Sequence, residues 1–284
     1  MRVGIVGQKD NGRAASLVAD LVERLSSLGV ETAVDEVTAA WFRSDDWDGD
    51  GVGDRGVPVS EMGECDLVVS VGGDGTFLFA ARGASSTPIM GVNLGEVGFL
   101  NAVSPDDAIE AVVAEARAYL ETGSVETRDI ARIRAESDEI TVPSALNEIV
   151  VQGPQRGHGR GAGIEVRIDG SPYTSGRADG VLVSTPTGST AYNLSEGGPL
   201  VHPSVGGFVV TEMCGYESMP PLVVDEDSTV TVRLTDTDIG YVVSDGRAKH
   251  ELDAPAQITI DRAPDPVRIA GPALDFFAGL GKLE

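Results

Sequence analysis

The spacing of apolar residues changes character near the middle of the chain. In the first part, residues 2–7 form a short run of Val, Ile and Gly that predicts a strand. Residues 12–28 then carry Leu17, Leu21, Leu25 and Leu28 on one face, with Val18 and Val22 beside them, which predicts an amphipathic helix closed by Gly29. Val30–Val34 and the Val-rich run Cys65–Val71 read as further strands, and Phe77–Arg82 as the first turns of a helix. Thr87–Val92 reads as another strand. Ser104, Pro105, Asp106 and Asp107 resemble a capped helix start, with Ile109, Val112, Val113, Ala116 and Leu120 turned inward as far as about Thr122. Strands alternating with helices predict an α/β domain with an open parallel sheet.

Beyond Gly123 the period falls to two. Thr127–Ala135, Leu146–Val151, Gly163–Ile168, Gly180–Ser184, Phe208–Thr211, Thr229–Leu234, Ile239–Ser244 and Gln257–Ile260 are strand candidates, with a hairpin turn at Asp169-Gly170. The expected organisation is therefore α/β followed by all-β: an α/β domain over 1–124, a β-rich domain over 125–270 and a tail over 271–284. No run of about 18 apolar residues predicts a membrane span, and the N-terminus lacks the apolar core of a secretory signal. Cys65 and Cys214 have neither disulfide-framework nor metal-ligand spacing. A soluble cytoplasmic protein is the expectation.

Charge changes the picture further. The 284 residues carry 45 acidic against 21 basic side chains, a formal net charge of −24, and lysine occurs only at 9, 249 and 282. A field of that sign repels nucleic acid. An acidic, lysine-poor surface fits adaptation to high salt, as in a halophilic archaeon, where screening relieves self-repulsion; a calcium-rich niche or an acidic partner surface would also fit. Between Trp41 and Gly56, Asp46, Asp48, Asp50, Gly51 and Asp54 follow a calcium-loop spacing, yet Val57 stands where the closing Glu belongs. The segment is either such a site or a solvated acidic loop.

Several stretches carry candidate chemistry. Gly72-Gly73-Asp74-Gly75-Thr76 sits between a predicted strand and a predicted helix, where backbone N–H groups and the helix end favour a phosphate. It lacks the lysine of the Walker pattern, and such a turn can also be purely structural. Asn93-Leu94-Gly95 leads on to Gly98-Phe99-Leu100, a glycine-rich loop at a strand's carboxyl end. Asn147 and Glu148 place an amide and a carboxylate within an apolar strand, for ligand binding or for structure. Arg177 and Asp179 precede a strand that enters Thr185-Pro186-Thr187-Gly188-Ser189-Thr190-Ala191-Tyr192, followed by Ser195 and Gly197-Gly198-Pro199. Its hydroxyl groups suit ribose, adenine and amide hydrogen bonds. Asp245-Gly246 taken alone is an ordinary turn.

In this order, from residue 72 to residue 246, these motifs resemble NAD kinase. The first turn is shared with lipid kinases and phosphofructokinases; the Thr185–Tyr192 run is not. The resemblance implies phosphorylation of the 2′-hydroxyl of the adenosine ribose of NAD to give NADP, with ATP or polyphosphate as donor and Mg2+ or another divalent metal on the donor phosphates. It implies Asp74 as catalytic residue, with Gly72, Gly73, Gly75 and Thr76 at the donor phosphates and Asp74 and Gly75 also at the NAD. Asn147 and Glu148 would hold adenine and ribose, and Asp179 the nicotinamide side. Thr187, Thr190, Ala191, Tyr192 and Ser195 would line the pocket, with Arg177, His158, Arg160 or Arg247 as basic groups. It also implies a Rossmann-like first domain, a C-terminal β-sandwich, a tail packing on the first domain, and a homodimer or homotetramer. The chain departs from the family after Gly-Gly-Pro: Thr211–Pro221 has no His, Pro220 stands where an Arg is usual, and Arg247 where Gln is common. A dinucleotide-binding paralogue without catalysis, or a kinase for another small hydroxyl compound, are the competing readings.

Overall fold

A computed structural model describes residues 1–43, 51–95, 98–155, 157, 161–215 and 219–281. The chain divides into two compact units, one comprising 1–130 and 267–284, the other 131–266.

In the first unit the chain runs β1 (Arg2–Gly7), α1 (Gly12–Ser27), β2 (Glu31–Asp35), α2 (Glu36–Phe42), β3 (Gly56–Val57), β4 (Leu67–Gly72), α3 (Asp74–Ala84), β5 (Ile89–Asn93), α4 (Ala108–Thr122) and β6 (Thr127–Ile130). Strands β1 to β5 are parallel, in the order β3-β2-β1-β4-β5. Their near-continuous apolar sequence suits a parallel sheet buried on both faces. Helix α1 starts where the Asn11 side chain accepts the N–H groups of Arg13 and Ala14, and buries Leu17, Val18, Leu21, Val22 and Leu25.

Two expectations need correction here. Trp41 and Phe42 end α2, which Asp35 caps through the N–H groups of Val37 and Thr38; they do not open the acidic loop. Leu120 is 53% exposed, because the buried face of α4 runs through Ala108, Val112, Val113 and Ala116 to partly buried Tyr119, whose hydroxyl reaches Asp66. Ser104 accepts the N–H of Asp107, one turn before the helix proper.

The second unit contains β7 (Ile133–Glu136), β8 (Glu148–Gln152), β9 (Ala162–Ile168), β10 (Ser171–Ala178), β11 (Gly180–Ser184), α5 (Tyr192–Ser195), β12 (Gly207–Met213), β13 (Leu222–Asp225), β14 (Val230–Thr235), β15 (Ile239–Ser244), β16 (Ala248–Asp253) and β17 (Ala256–Arg262). They form a five-stranded sheet, β10-β9-β14-β17-β7, and a six-stranded sheet, β13-β12-β11-β8-β15-β16. Alternate residues from both meet in one core: Ile149, Val151, Val181, Val183, Phe208 and Val242 from the larger sheet, Ile164, Val166, Val232, Leu234, Ile258 and Ile260 from the smaller. This is the packing of a β-sandwich. The turn between β9 and β10 puts Asp169 at φ 50° and Gly170 at φ 80°, as a two-residue hairpin requires.

The chain then returns to the first unit. Strand β18 (Val267–Ala270) lies between β5 and β6, parallel to the former and antiparallel to the latter, and α6 (Phe276–Leu280) follows. The division thus falls at 130/131 and 266/267, where the sequence suggests 124/125 and 270/271. The reason is the β6–β18 pairing, which keeps both strands in the first sheet. For the same reason the expected strand Thr127–Ala135 is two strands, one in each unit.

Candidate active site

In the first unit, β4 ends at Gly72 and α3 begins at Asp74, with Gly73 at the N-cap and no side chain capping the helix. Uncapped N–H groups at a helix start are donors awaiting an acceptor. A Cβ on Gly73 would meet nothing within 4 Å, so this approach to the helix end is open. The half-buried Asp74 turns its carboxylate to the loop after β5. Oδ2 accepts the N–H of Phe99 at 3.1 Å, and Oδ1 accepts the N–H of Leu100 at 3.2 Å and the side-chain amide of Asn101 at 3.0 Å. Gly98 permits this, since a Cβ there would lie 2.4 Å from Oδ1. The glycine turn and the Gly98-Phe99-Leu100 loop, separate in sequence, form one constellation.

In the second unit Glu148 and the Thr187–Ser195 segment lie on the six-stranded sheet's outer face, opposite the sandwich core. Glu148 and Ser184 are register partners across β8 and β11. The segment from Thr187 through α5 lies over Val150, Leu182 and Met213, with Tyr192 packed against them. Asn193 fastens it: its amide donates to the carbonyls of Ser189 (3.3 Å) and Pro199 (3.0 Å), and its oxygen accepts the Thr211 hydroxyl at 2.9 Å. The loop reaches Asn147 closely enough that a Cβ on Gly188 would sit 2.1 Å from the Asn147 carbonyl oxygen.

Glu148 is 5% exposed, and one of its oxygens, Oε2, has no partner among the described residues. Burial, and next the charge of Asp245, push its pKa up to about 7, against the opposing pull of the Tyr192 backbone N–H. Asp245 itself, buried at φ 45°, accepts the N–H groups of Leu146 (3.0 Å), Asn147 (2.8 Å) and Glu148 (3.3 Å), and donates its own N–H to the Glu148 carbonyl. It therefore fixes the backbone that presents Asn147 and Glu148. Sequence reasoning assigned Asp245 no role; its place in the ordered set of motifs was the only signal.

Asp179 is 6% exposed and accepts the N–H of Gly157 on both oxygens at 2.9 Å. Glu148 pairs with Ser184 and Gln152 with Gly180, so Asp179, one residue before Gly180, and Glu148 stand at opposite ends of this strand pair, about 17 Å apart along it. Thr187 is buried, Thr190, Ala191 and Tyr192 are half-buried, and Ser195 is exposed. Arg177 is exposed, with its guanidinium on the Gly161 carbonyl at 2.6 Å and 3.7 Å from Asp236. Arg247 is exposed on the turn beside Asp245. His158, Arg160, and Asp46, Asp48 and Asp50 of the calcium-like spacing lie outside the described residues.

Residues 3–116 match the ATP-NAD kinase N-terminal domain and residues 146–271 the ATP-NAD kinase C-terminal domain, which defines the class as a phosphotransferase. Along its whole length, covering all of each relative, the chain is 57% identical to NAD kinase of Haloarcula marismortui and 53% identical to NAD kinase of Halobacterium salinarum, both halophilic archaea. An NAD kinase from Archaeoglobus fulgidus, solved in complex with ATP, superposes with a TM-score of 0.74 at 28% identity, over 100% of this chain and 98% of that one. The chain belongs to the NAD kinase family. No helix among the described residues is long and apolar enough to cross a membrane.

Proposed function

We propose that this protein transfers the terminal phosphoryl group of ATP to the 2′-hydroxyl of the adenosine ribose of NAD, releasing ADP and NADP. The observation that carries the reading is Asp74: a carboxylate at an uncapped helix start, held by three donors, with a single donor on Oδ2 among the described residues. The hydroxyl oxygen attacks the γ-phosphorus while its proton passes to Asp74. The bond from the γ-phosphorus to the bridging oxygen breaks, and the electron pair leaves with ADP. Such transfer proceeds through a loose transition state, so catalysis is mainly positioning and charge stabilisation. Gly72, Gly73, Gly75 and Thr76 shape the turn whose N–H groups receive the donor phosphates.

Asn147 and Glu148 hold the adenosine, with Thr187, Thr190, Ala191, Tyr192 and Ser195 along the dinucleotide, and Asp179 meets the nicotinamide end. The spacing of Glu148 and Asp179 along two strands supports this, since an extended dinucleotide covers such a span. A half-protonated Glu148 both donates to and accepts from sugar hydroxyls. Arg177 serves as a basic group near the pocket only after leaving Asp236; His158, Arg160 and Arg247 are further candidates.

The family resemblance implies a magnesium ion on the donor phosphates, where it would keep part of its own water shell. Such an ion would neutralise charge on the transferring group. Following the family resemblance, the protein works as a cytoplasmic homodimer or homotetramer. The test is NADP formation by purified protein in molar KCl with Mg2+, read by an NADP-specific dehydrogenase, with ATP and polyphosphate offered separately. Turnover with either donor supports the reading and names the donor; NAD binding without turnover supports a silent paralogue.

A further inference from the structure

Asn101 lies just beyond the Gly98-Phe99-Leu100 loop and is 1% exposed. Its amide donates to Oδ1 of Asp74 at 3.0 Å, while its own Oδ1 is buried, faces Gly91 and has no hydrogen-bond partner among the described residues. A half-satisfied buried amide is a poor stabiliser, because the orphaned carbonyl has given up water without gaining a partner. An apolar side chain of the same shape would serve the fold better. Reversing the amide would set its oxygen against the Asp74 carboxylate, so the amide's orientation is dictated by that charge.

The distribution of donors makes the two oxygens of Asp74 unequal. A carboxylate offers about four acceptor positions. Leu100 and Asn101 take both on Oδ1, and Phe99 takes one on Oδ2. No ion pair to Asp74 occurs among the described residues, so these three donors set its orientation.

We propose that Asn101 is a positioning residue for the phosphoryl transfer: by completing the hydrogen bonding of Oδ1 it reserves Oδ2 of Asp74 for the proton of the acceptor hydroxyl. This rests on the assignment of Asp74 as the catalytic carboxylate. Asn101 does not touch substrate. It acts by fixing the carboxylate's rotation and by stabilising its charge.

The test uses Asn101→Leu, Asn101→Asp and, in parallel, Asp74→Asn, in the full-length protein. Asn101→Leu removes the donor and the orphaned carbonyl together, so thermal stability holds or rises while kcat falls about 10- to 100-fold, the worth of one hydrogen bond to a charged group, with KM for NAD unchanged. The acidic limb of its kcat profile moves to higher pH, because the carboxylate has lost a donor. Asn101→Asp sets two carboxyls side by side and moves that limb further, by about one unit or more. Unchanged kcat and pH profile in both variants, with Asp74→Asn inactive, overturns the role of Asn101 alone. An active Asp74→Asn overturns the assignment of Asp74 on which it depends. Loss of kcat in Asn101→Leu accompanied by a matching loss of thermal stability, with the acidic limb unmoved, makes Asn101 structural and also overturns the proposal.

Discussion

Glu148 offers a prediction that follows from its burial and from the neighbouring charge of Asp245. The carboxyl is 5% exposed, and its pKa rises from the ordinary 4.5 to about 7. In the unfolded chain it ionises near its ordinary value, so between the two values the folded state binds more protons than the unfolded one, and stability falls as pH rises. The contribution is fully present below about pH 4.5 and is lost as pH climbs through about 7. Each pH unit over that interval removes about 1.4 kcal/mol, or roughly 3 kcal/mol in all. Glu148→Gln has nearly the same shape and cannot ionise. Relative to the parent it should therefore be about 3 kcal/mol more stable near pH 8 and indistinguishable near pH 4.5. The assay is urea unfolding of both proteins across this range in constant KCl; taking the difference removes the titration of all other carboxylates. A parallel pair of stability curves, with no divergence above about pH 5, would refute the reasoning. It would mean that Glu148 reaches water and stays ionised.

Four other outcomes can be checked. Asp245→Ala strips the partner from three backbone N–H groups and should cost at least about 2–3 kcal/mol in chemical denaturation, with weaker NAD binding by calorimetry. Asn193→Ala leaves the buried Thr211 hydroxyl without its acceptor and should lower stability by about 2–3 kcal/mol while loosening the Thr187–Ser195 segment to proteolysis. Gly279→Val puts a side chain 2.8 Å from the Phe99 ring; because the Phe99 N–H holds Asp74, kcat should fall with NAD affinity unchanged. Finally, a net charge of −24 predicts that the thermal midpoint rises steadily with KCl, as the screening length shrinks from about 10 Å at 0.1 M to about 3 Å at 1 M; a midpoint independent of salt contradicts this.

The parts of the fold that could be read from sequence are those where burial imposes a period. Central strands such as β4, β8, β11 and β15 are apolar or alternate cleanly, because neighbours cover them on both edges. The strands that escaped notice include β3, β10, β13 and β16, all of which close the edge of a sheet. Edge strands face water and are written in polar and charged residues, as in Ser171–Ala178 and Ala248–Asp253, so they carry little periodic signal. The return of β18 to the first sheet was equally invisible, since pairing between strands some 140 residues apart leaves no local mark.

The site follows the same logic. Glycine turns and hydroxyl-rich loops announce themselves by composition, and their order along the chain carries the family resemblance. Asn101 carries no such signal, and Asp245 carries only its place in that order, because their importance lies in what they bond across space. Arg177 illustrates the converse: a basic residue two positions from Asp179 looks like a ligand group, yet the fold engages it with Gly161 and Asp236.

The central claim is that Asp74 takes the proton of the acceptor hydroxyl. Asp74→Asn keeps the side chain's shape but removes the base, so NAD affinity by calorimetry and NADP formation should be measured side by side on the same preparations. The account predicts unchanged NAD affinity with turnover reduced at least about 100-fold, the lower end of the range for loss of a general base. Turnover close to that of the parent, with NAD bound equally well, would contradict it.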